Sequence, residues 1–187
     1  MKYLIIGLGN PGAEYQNTRH NIGFKALDTL VEESGAFFVP DRYAEVASIK
    51  HKGRNLILIK PQTYMNLSGK AVRYWKDSFQ IDLDKILVVT DDIALPFGTL
   101  RMKAKGSDGG HNGLKNIQET LQTSQYPRLR FGVGNDFGKG QQVNYVLGEW
   151  TAEEEKILSE RLKRTCEMIK SFTFIGIGRT MSAFNNT

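Results

Sequence analysis

The chain is poor in the residues that carry most metal and covalent chemistry: of its 187 residues, one is cysteine and three are histidine. A lone cysteine closes no internal disulfide. Cys166 falls in the apolar stripe Leu158, Leu162, Cys166, Ile169 of a helical pattern, which marks a buried thiol rather than a nucleophile. His20, His51 and His111 lack the short ligand spacing of zinc motifs, so no metal site and no cofactor are expected. The adjacent Asp91 and Asp92 suffice for weak magnesium binding at most. No serine stands in a G-x-S-x-G turn, which removes the usual covalent esterase nucleophile. No window of about 18 apolar residues occurs, and no basic, apolar leader precedes the first apolar run. A cytoplasmic protein without a membrane partner is expected. Internal repeats, low-complexity tracts and linkers are also absent, which leaves one domain over residues 1–187.

Net charge is small as well, +5, but it is unevenly spread. Residues 101–139 hold seven basic and three acidic groups, +4 of the total, whereas the flanking stretches are nearly neutral. Arg101, Lys103 and Lys105 alternate along a predicted strand ending in a loop and so share one face, as do Arg128 and Arg130. Such a face is either merely solvated or a track for RNA phosphates; its place directly before the glycine-rich turn at 109–113 favours the track.

What the chain has in quantity is apolar, β-rich runs alternating with amphipathic segments. Runs at 3–8, 45–50, 55–60, 86–90, 99–103 and 129–134 predict strands. Helices are predicted at 21–34, 68–79, 113–121 and from Ala152, the last opened by a Thr151/Glu154 capping box. Residues 50–54 look like a hairpin tip, with His51 a solvated loop residue. Strands alternating with helices imply an α/β single-domain sandwich, a mixed twisted β-sheet with helices on both faces.

Residues 7–20, GLGNPGAEYQNTRH, take an apolar run into a glycine turn and on to an imidazole. Gly7, Gly9 and Gly12 fit the dinucleotide-binding G-x-G-x-x-G pattern, but there the third glycine opens a helix, and here helical periodicity waits until about Asn21. Further polar clusters follow at 64–69, 90–92 and 109–113, each at an element end, where α/β folds open their ligand crevice. Taken singly, Asn66 or Ser68 could cap a helix, Asp91 or Asp92 close a turn, and Asn112 serve as an N-cap. Together they offer amide donors and acceptors, a carboxylate and a group titrating near neutrality. A histidine beside a carboxylate activates water, and asparagine amides can donate to a developing oxyanion.

Residues 7–15 with 17–21, 61–69, Asp91-Asp92 with Leu95-Pro96, and 109–115 closely resemble bacterial peptidyl-tRNA hydrolases, and the similarity continues through 128–130 and 146–148 to the C-terminal helix. The resemblance implies a cofactor-free esterase, a monomer with peptidyl-tRNA as its partner, that cleaves the ester joining a peptide to the 3′ end of tRNA. It casts His20 as the catalytic base, Asp91 as the carboxylate that orients it, and Asn10, Asn66 and Asn112 as the amides that hold substrate and water. Tyr15 and Met65 match residues lining the site, although a core role suits either equally; His111 joins the substrate-binding set. Ala94 stands where many relatives carry a second acid. Residues 138–143 look like a lid.

Overall fold

The computed structural model describes residues 1–187. Seven strands form one sheet: β1 (Lys2–Gly7), β2 (Val39–Asp41), β3 (Ala44–His51), β4 (Arg54–Pro61), β5 (Ile86–Asp92), β6 (Leu100–Lys103) and β7 (Arg128–Gly132), in the order β2-β3-β4-β1-β5-β7-β6. β4, β1, β5 and β7 run parallel, whereas β2, β3 and β6 are antiparallel to their neighbours. The central strands read as unbroken apolar runs because both of their faces are covered. Ile5, Leu87 and Val89 pack with α1 (Ile22–Ser34) and α5 (Ala152–Ile175); Leu4, Ile6, Ile86 and Val88 pack with α2 (Ser68–Ser78) and α3 (Asn112–Leu121). The mixed sheet with helices on both faces is the architecture expected from the sequence.

The chain leaves β1 for the β4 side of the sheet, then crosses to β5 on the other side. The carboxyl ends of β1 and β5 therefore flank a topological switch point, where such sheets bind ligands. The α2–α3 layer stops short of the far edge, and none of its core partners comes from β6 or β7. This part of the sheet carries Arg101, Lys103, Arg128 and Arg130, paired in register as Arg101 with Arg130 and Lys103 with Arg128.

Three elements escape the periodicity. β2 is three exposed residues containing a proline, and α4 (Gln142–Val146) is too short to show a period. α6 (Ile177–Phe184) is split from α5 by Gly176, at φ 89°. The hairpin at 50–54 is tighter than expected: Lys52 and Gly53 both have positive φ, as a two-residue turn between twisted strands requires. His51 is consequently the last residue of β3, paired with Arg54 and half-buried beside the Phe174 ring, not a loop residue.

Candidate active site

Close backbone packing sets the site's position. A Cβ on Gly7 would collide with the Gly23 carbonyl, and one on Gly23 with Leu8, so glycines alone let the start of α1 rest on the end of β1. That approach delivers the single turn Arg19–Asn21, and His20 with it, to the end of β5. Gly12, at φ 111°, turns the preceding loop into a short 3₁₀ segment and not a long helix, in line with the rejection of a dinucleotide site.

At the end of β5, Asp91 is 4% exposed and accepts hydrogen bonds from two imidazoles: His20 Nδ1 at 2.9 Å on Oδ2 and His111 Nε2 at 2.8 Å on Oδ1. The two rings lie with their centres 5.0 Å apart. Burial opposes a charged carboxylate, but the imidazoles outweigh it and hold Asp91 well below the usual carboxylate range. Burial likewise disfavours a charged His20, and the charge and hydrogen bond of Asp91 overcome it, raising the His20 pKa above its ordinary value. With Nδ1 donating to Asp91, neutral His20 keeps the lone pair on Nε2, and the ring lines the cavity.

His111 has two duties. Its Nδ1 accepts from the backbone N–H groups of Gly113 (3.1 Å) and Leu114 (3.3 Å), which makes it the N-cap of α3. The cap assigns the proton to Nε2, which faces Asp91 Oδ1 and lies 2.7 Å from Thr90 Oγ1. The N-cap is thus His111, and Asn112, which taken singly could have been a cap, is the first residue of α3. Gly113 keeps this turn tight, because a Cβ there would come within 2.7 Å of Met65 Sδ. His20, Asp91 and His111 each place a ligand atom within 4.8 Å of the others, a grouping that sequence spacing does not foretell. Their facing atoms are joined at hydrogen-bond distances, with His111 Nδ1 already committed to the helix.

Asn10 is held from three directions. Its backbone N–H donates to Asn21 Oδ1 (2.8 Å), its carbonyl accepts from Asn21 Nδ2 (2.9 Å), and its Oδ1 accepts from the Met65 N–H (2.7 Å). The Asn10 amide therefore has its N–H groups left for a guest in the cavity. Asn21, 1% exposed, is a positioning residue that sequence reasoning misses; it lies inside the motif at 17–21, but its pattern marks only the start of a helix. Neither Asn66 nor Ser68 caps α2. Ser68 Oγ donates to the Met65 carbonyl, and Asn116 Oδ1 accepts from the Gly69 N–H. Asp92 Oδ1 does close a turn, accepting from the Ala94 N–H.

These groups line a cavity of about 660 Å³. Asn10, His20, Asp91 and His111, all largely buried, form its floor, and Met65, Asn66 and Asn112 also line it. Tyr15 is half-buried and is not among the lining residues. Of the lid-like residues 138–143, Gln142 and Val143 line the cavity, joined from the rest of the α4 segment by Val146 and Leu147. Arg19 ties that segment to the turn bearing His20. Its guanidinium lies 4.2 Å from the Tyr145 ring centre, donates to the Tyr145 carbonyl and meets Glu154, while its backbone N–H donates to Gly148.

The basic stretch divides. Lys103, Arg128 and Arg130 line the cavity, and Arg130 Nε is paired with Asp92 Oδ2. Arg101 points along the same face but is held by Asn186 Oδ1 at 2.9 Å and stands apart from the cavity. β6 ends at Lys103, so the exposed Lys105 sits in the following loop and not on the strand. Arg128 is 1% exposed and spends its guanidinium on the carbonyls of Ser107, Ser124 and Tyr126, so it braces the 104–111 loop instead of facing solvent.

The sequence pattern of the family described as Peptidyl-tRNA hydrolase matches residues 4–187. A peptidyl-tRNA hydrolase of Cytophaga hutchinsonii is 60% identical over 185 residues, covering 99% of this chain and 98% of its own; one of Phocaeicola vulgatus is 58% identical, covering 99% of each. The crystal structure of peptidyl-tRNA hydrolase from Acinetobacter baumannii superimposes with a TM-score of 0.92 at 31% identity, over 98% of this chain and 94% of that one. The chain belongs to the peptidyl-tRNA hydrolase family.

Proposed function

We propose that the protein hydrolyses the ester between a peptide, or any N-blocked aminoacyl group, and the 3′ end of tRNA, returning free tRNA and peptide. The observation that carries this reading is the His20 Nδ1–Asp91 Oδ2 bond, which leaves His20 Nε2 as a base on a cavity lined with asparagine amides. In the reaction, Nε2 takes a proton from water as the water oxygen attacks the ester carbonyl. Asp91 fixes the tautomer and stabilises the imidazolium. The Asn10 N–H groups donate to the oxyanion, which collapses with loss of the 3′ oxygen of tRNA; that oxygen recovers a proton from the imidazolium. Asn66 and Asn112 suit a peptide backbone, which offers carbonyls and N–H groups but little charge. His111, proton on Nε2, secures the second oxygen of Asp91 and so keeps the carboxylate from turning away from His20.

No step requires a metal ion, so we assign none to the mechanism. Lys103 and Arg130 at the rim, with Lys105 beyond the strand and Arg101 further along it, suit tRNA phosphates. We infer one domain over residues 1–187, monomeric and acting in the cytoplasm where its substrate arises. Both sheet edges are blunted in a manner that favours a monomer: β2 is short and carries Pro40, and the Asn185 amide pairs with both backbone groups of Met102 in β6. No helix is long and apolar enough to cross a membrane.

The test is to incubate metal-free protein with N-acetyl-aminoacyl-tRNA and with aminoacyl-tRNA, with and without a chelator. Hydrolysis of the blocked substrate, unchanged by chelation, is expected. Loss on chelation that one divalent ion restores would overturn the metal-free mechanism, and equal hydrolysis of both substrates would overturn the peptide-binding role of the amides.

A further inference from the structure

A second cluster of cations and aromatic rings lies on the opposite side of the cavity from Lys103 and Arg130. It consists of Arg42 and Tyr43, in the turn between β2 and β3, and Lys70, Arg73 and Tyr74 on α2. The Arg42 guanidinium sits 5.4 Å from the Tyr43 ring centre and 5.5 Å from that of Tyr74; Lys70 Nζ lies 5.4 Å from the Tyr43 ring. The two tyrosines meet edge to face, 5.7 Å between centres. Arg42, Lys70, Arg73 and Tyr74 are exposed, and none of the three cations joins an ion pair. The Tyr43 phenol is held below its ordinary range by the hydrogen bond and charge of Arg42 first, then, against burial, by the charges of Lys70 and Arg73.

The cluster is built rather than loose. Tyr43 adopts φ 60°, a left-handed backbone that an aromatic residue rarely takes. Two bonds hold the turn in that shape: the Trp75 indole donates to the Arg42 carbonyl (2.8 Å), and the Gln62 N–H to the Tyr43 carbonyl (2.8 Å). Cations resting on rings have already given up much of their rotamer freedom, so less is forfeited when they meet a phosphate.

Position decides the partner. Ala44 pairs with Pro61 at the carboxyl end of β4, so the turn lies at the same end of the sheet as Asp91. β3 stands three strand spacings from β5, about 15 Å. α2, which bears Lys70 and Arg73, begins at Ser68 directly after the cavity-lining residues 64–67, and the two cations stand about 3 and 8 Å along its axis from Ser68. We propose that Arg42 and Lys70, ordered by Tyr43 and Tyr74, together with Arg73 beside them on α2, form a second phosphate-binding surface for the tRNA body, so that substrate RNA is gripped on both sides of the cavity. This rests on the reading of peptidyl-tRNA as substrate. An acidic protein would also meet the charge, but it has no reason to lie beside a cavity that takes the end of an RNA.

The experiment measures binding of deacylated tRNA across a salt series for wild type, for an Arg42→Gln/Lys70→Gln/Arg73→Gln triple variant, and for a control, Lys50→Gln/Lys52→Gln/Lys163→Gln, that removes equal charge elsewhere. The patch variant is expected to bind about tenfold more weakly near physiological salt, with the log-affinity versus log-salt slope reduced by about 2. The control is expected to follow wild type. Hydrolysis of a small N-acetyl-aminoacyl adenosine ester, which lacks the tRNA body, is expected to be unchanged in the patch variant. Wild-type affinity and slope in the patch variant would overturn the proposal, as would an equal loss in the control or on the small ester. Failure of wild type to hydrolyse peptidyl-tRNA, with the slope difference intact, would overturn the hydrolase reading and still support the RNA surface.

Discussion

At the end of β5, Asp91 is buried with both oxygens committed to imidazoles, whereas the next residue, Asp92, meets Arg130 at the partly open rim. Two adjacent carboxylates thus serve two kinds of region. On the floor, groups are desolvated and bonded to one another, so removing one leaves its partners unsatisfied and misaligned, at a cost of about 1 to 3 kcal/mol for a buried polar group. On the rim, charges act through solvent and counterions, and the loss of one is graded and salt-dependent. Floor substitutions should therefore alter the chemical step and rim substitutions the grip.

The comparison breaks most visibly at His20. The His20→Ala variant is expected to lose about 10² to 10⁴ in single-turnover hydrolysis while binding deacylated tRNA as wild type does; a folded variant with a near-normal rate would remove the base from the mechanism. A smaller effect is expected one bond away. Asn21→Ala leaves the Asn10 backbone without its two partners, so hydrolysis should fall about tenfold, with thermal unfolding showing a loss of about 1 to 3 kcal/mol. An unchanged rate at reduced stability would make Asn21 structural only. Smallest in the chemical step is the rim: an Arg101→Ala/Lys103→Ala/Arg130→Ala variant should keep its single-turnover rate at saturation, while the salt slope of tRNA binding falls by about 0.7 to 0.9 for each phosphate that no longer meets a cation. Identical slopes would leave this face merely solvated.

The two regions also differ in how far the sequence reveals them. Floor residues stand beside glycine and proline turns, and the motif at 7–20 announces a site because only glycine permits the approach of Gly7 to Gly23. Pairing of His20 with Asp91 comes from the family resemblance, as the two lie 71 positions apart and no local period joins them. His111 is legible as a site residue but not as a cap, since helix caps are read from serine, threonine, aspartate and asparagine, and an imidazole accepting two N–H bonds leaves no such mark. At the rim, alternation gives the face of Arg128 correctly but not its burial, which depends on a loop folding over it. The predicted end of the 99–103 strand at Lys103 is the observed end of β6, with Lys105 in the loop beyond it. β2, α4 and α6 are invisible to periodicity because short elements held by tertiary packing have too few residues to show a period.

The central claim, that buried Asp91 sets the basicity of His20 for attack by water, is tested most directly by the pH dependence of single-turnover hydrolysis in wild type and Asp91→Asn. The base must be neutral to act, so wild-type activity should rise with pH through a His20 pKa lying above its ordinary value. Removing the carboxylate's charge leaves burial, which lowers that pKa, so the variant should have a lower plateau, reached at lower pH. A variant whose rising limb stays at the wild-type pH, or moves to higher pH, would contradict the account.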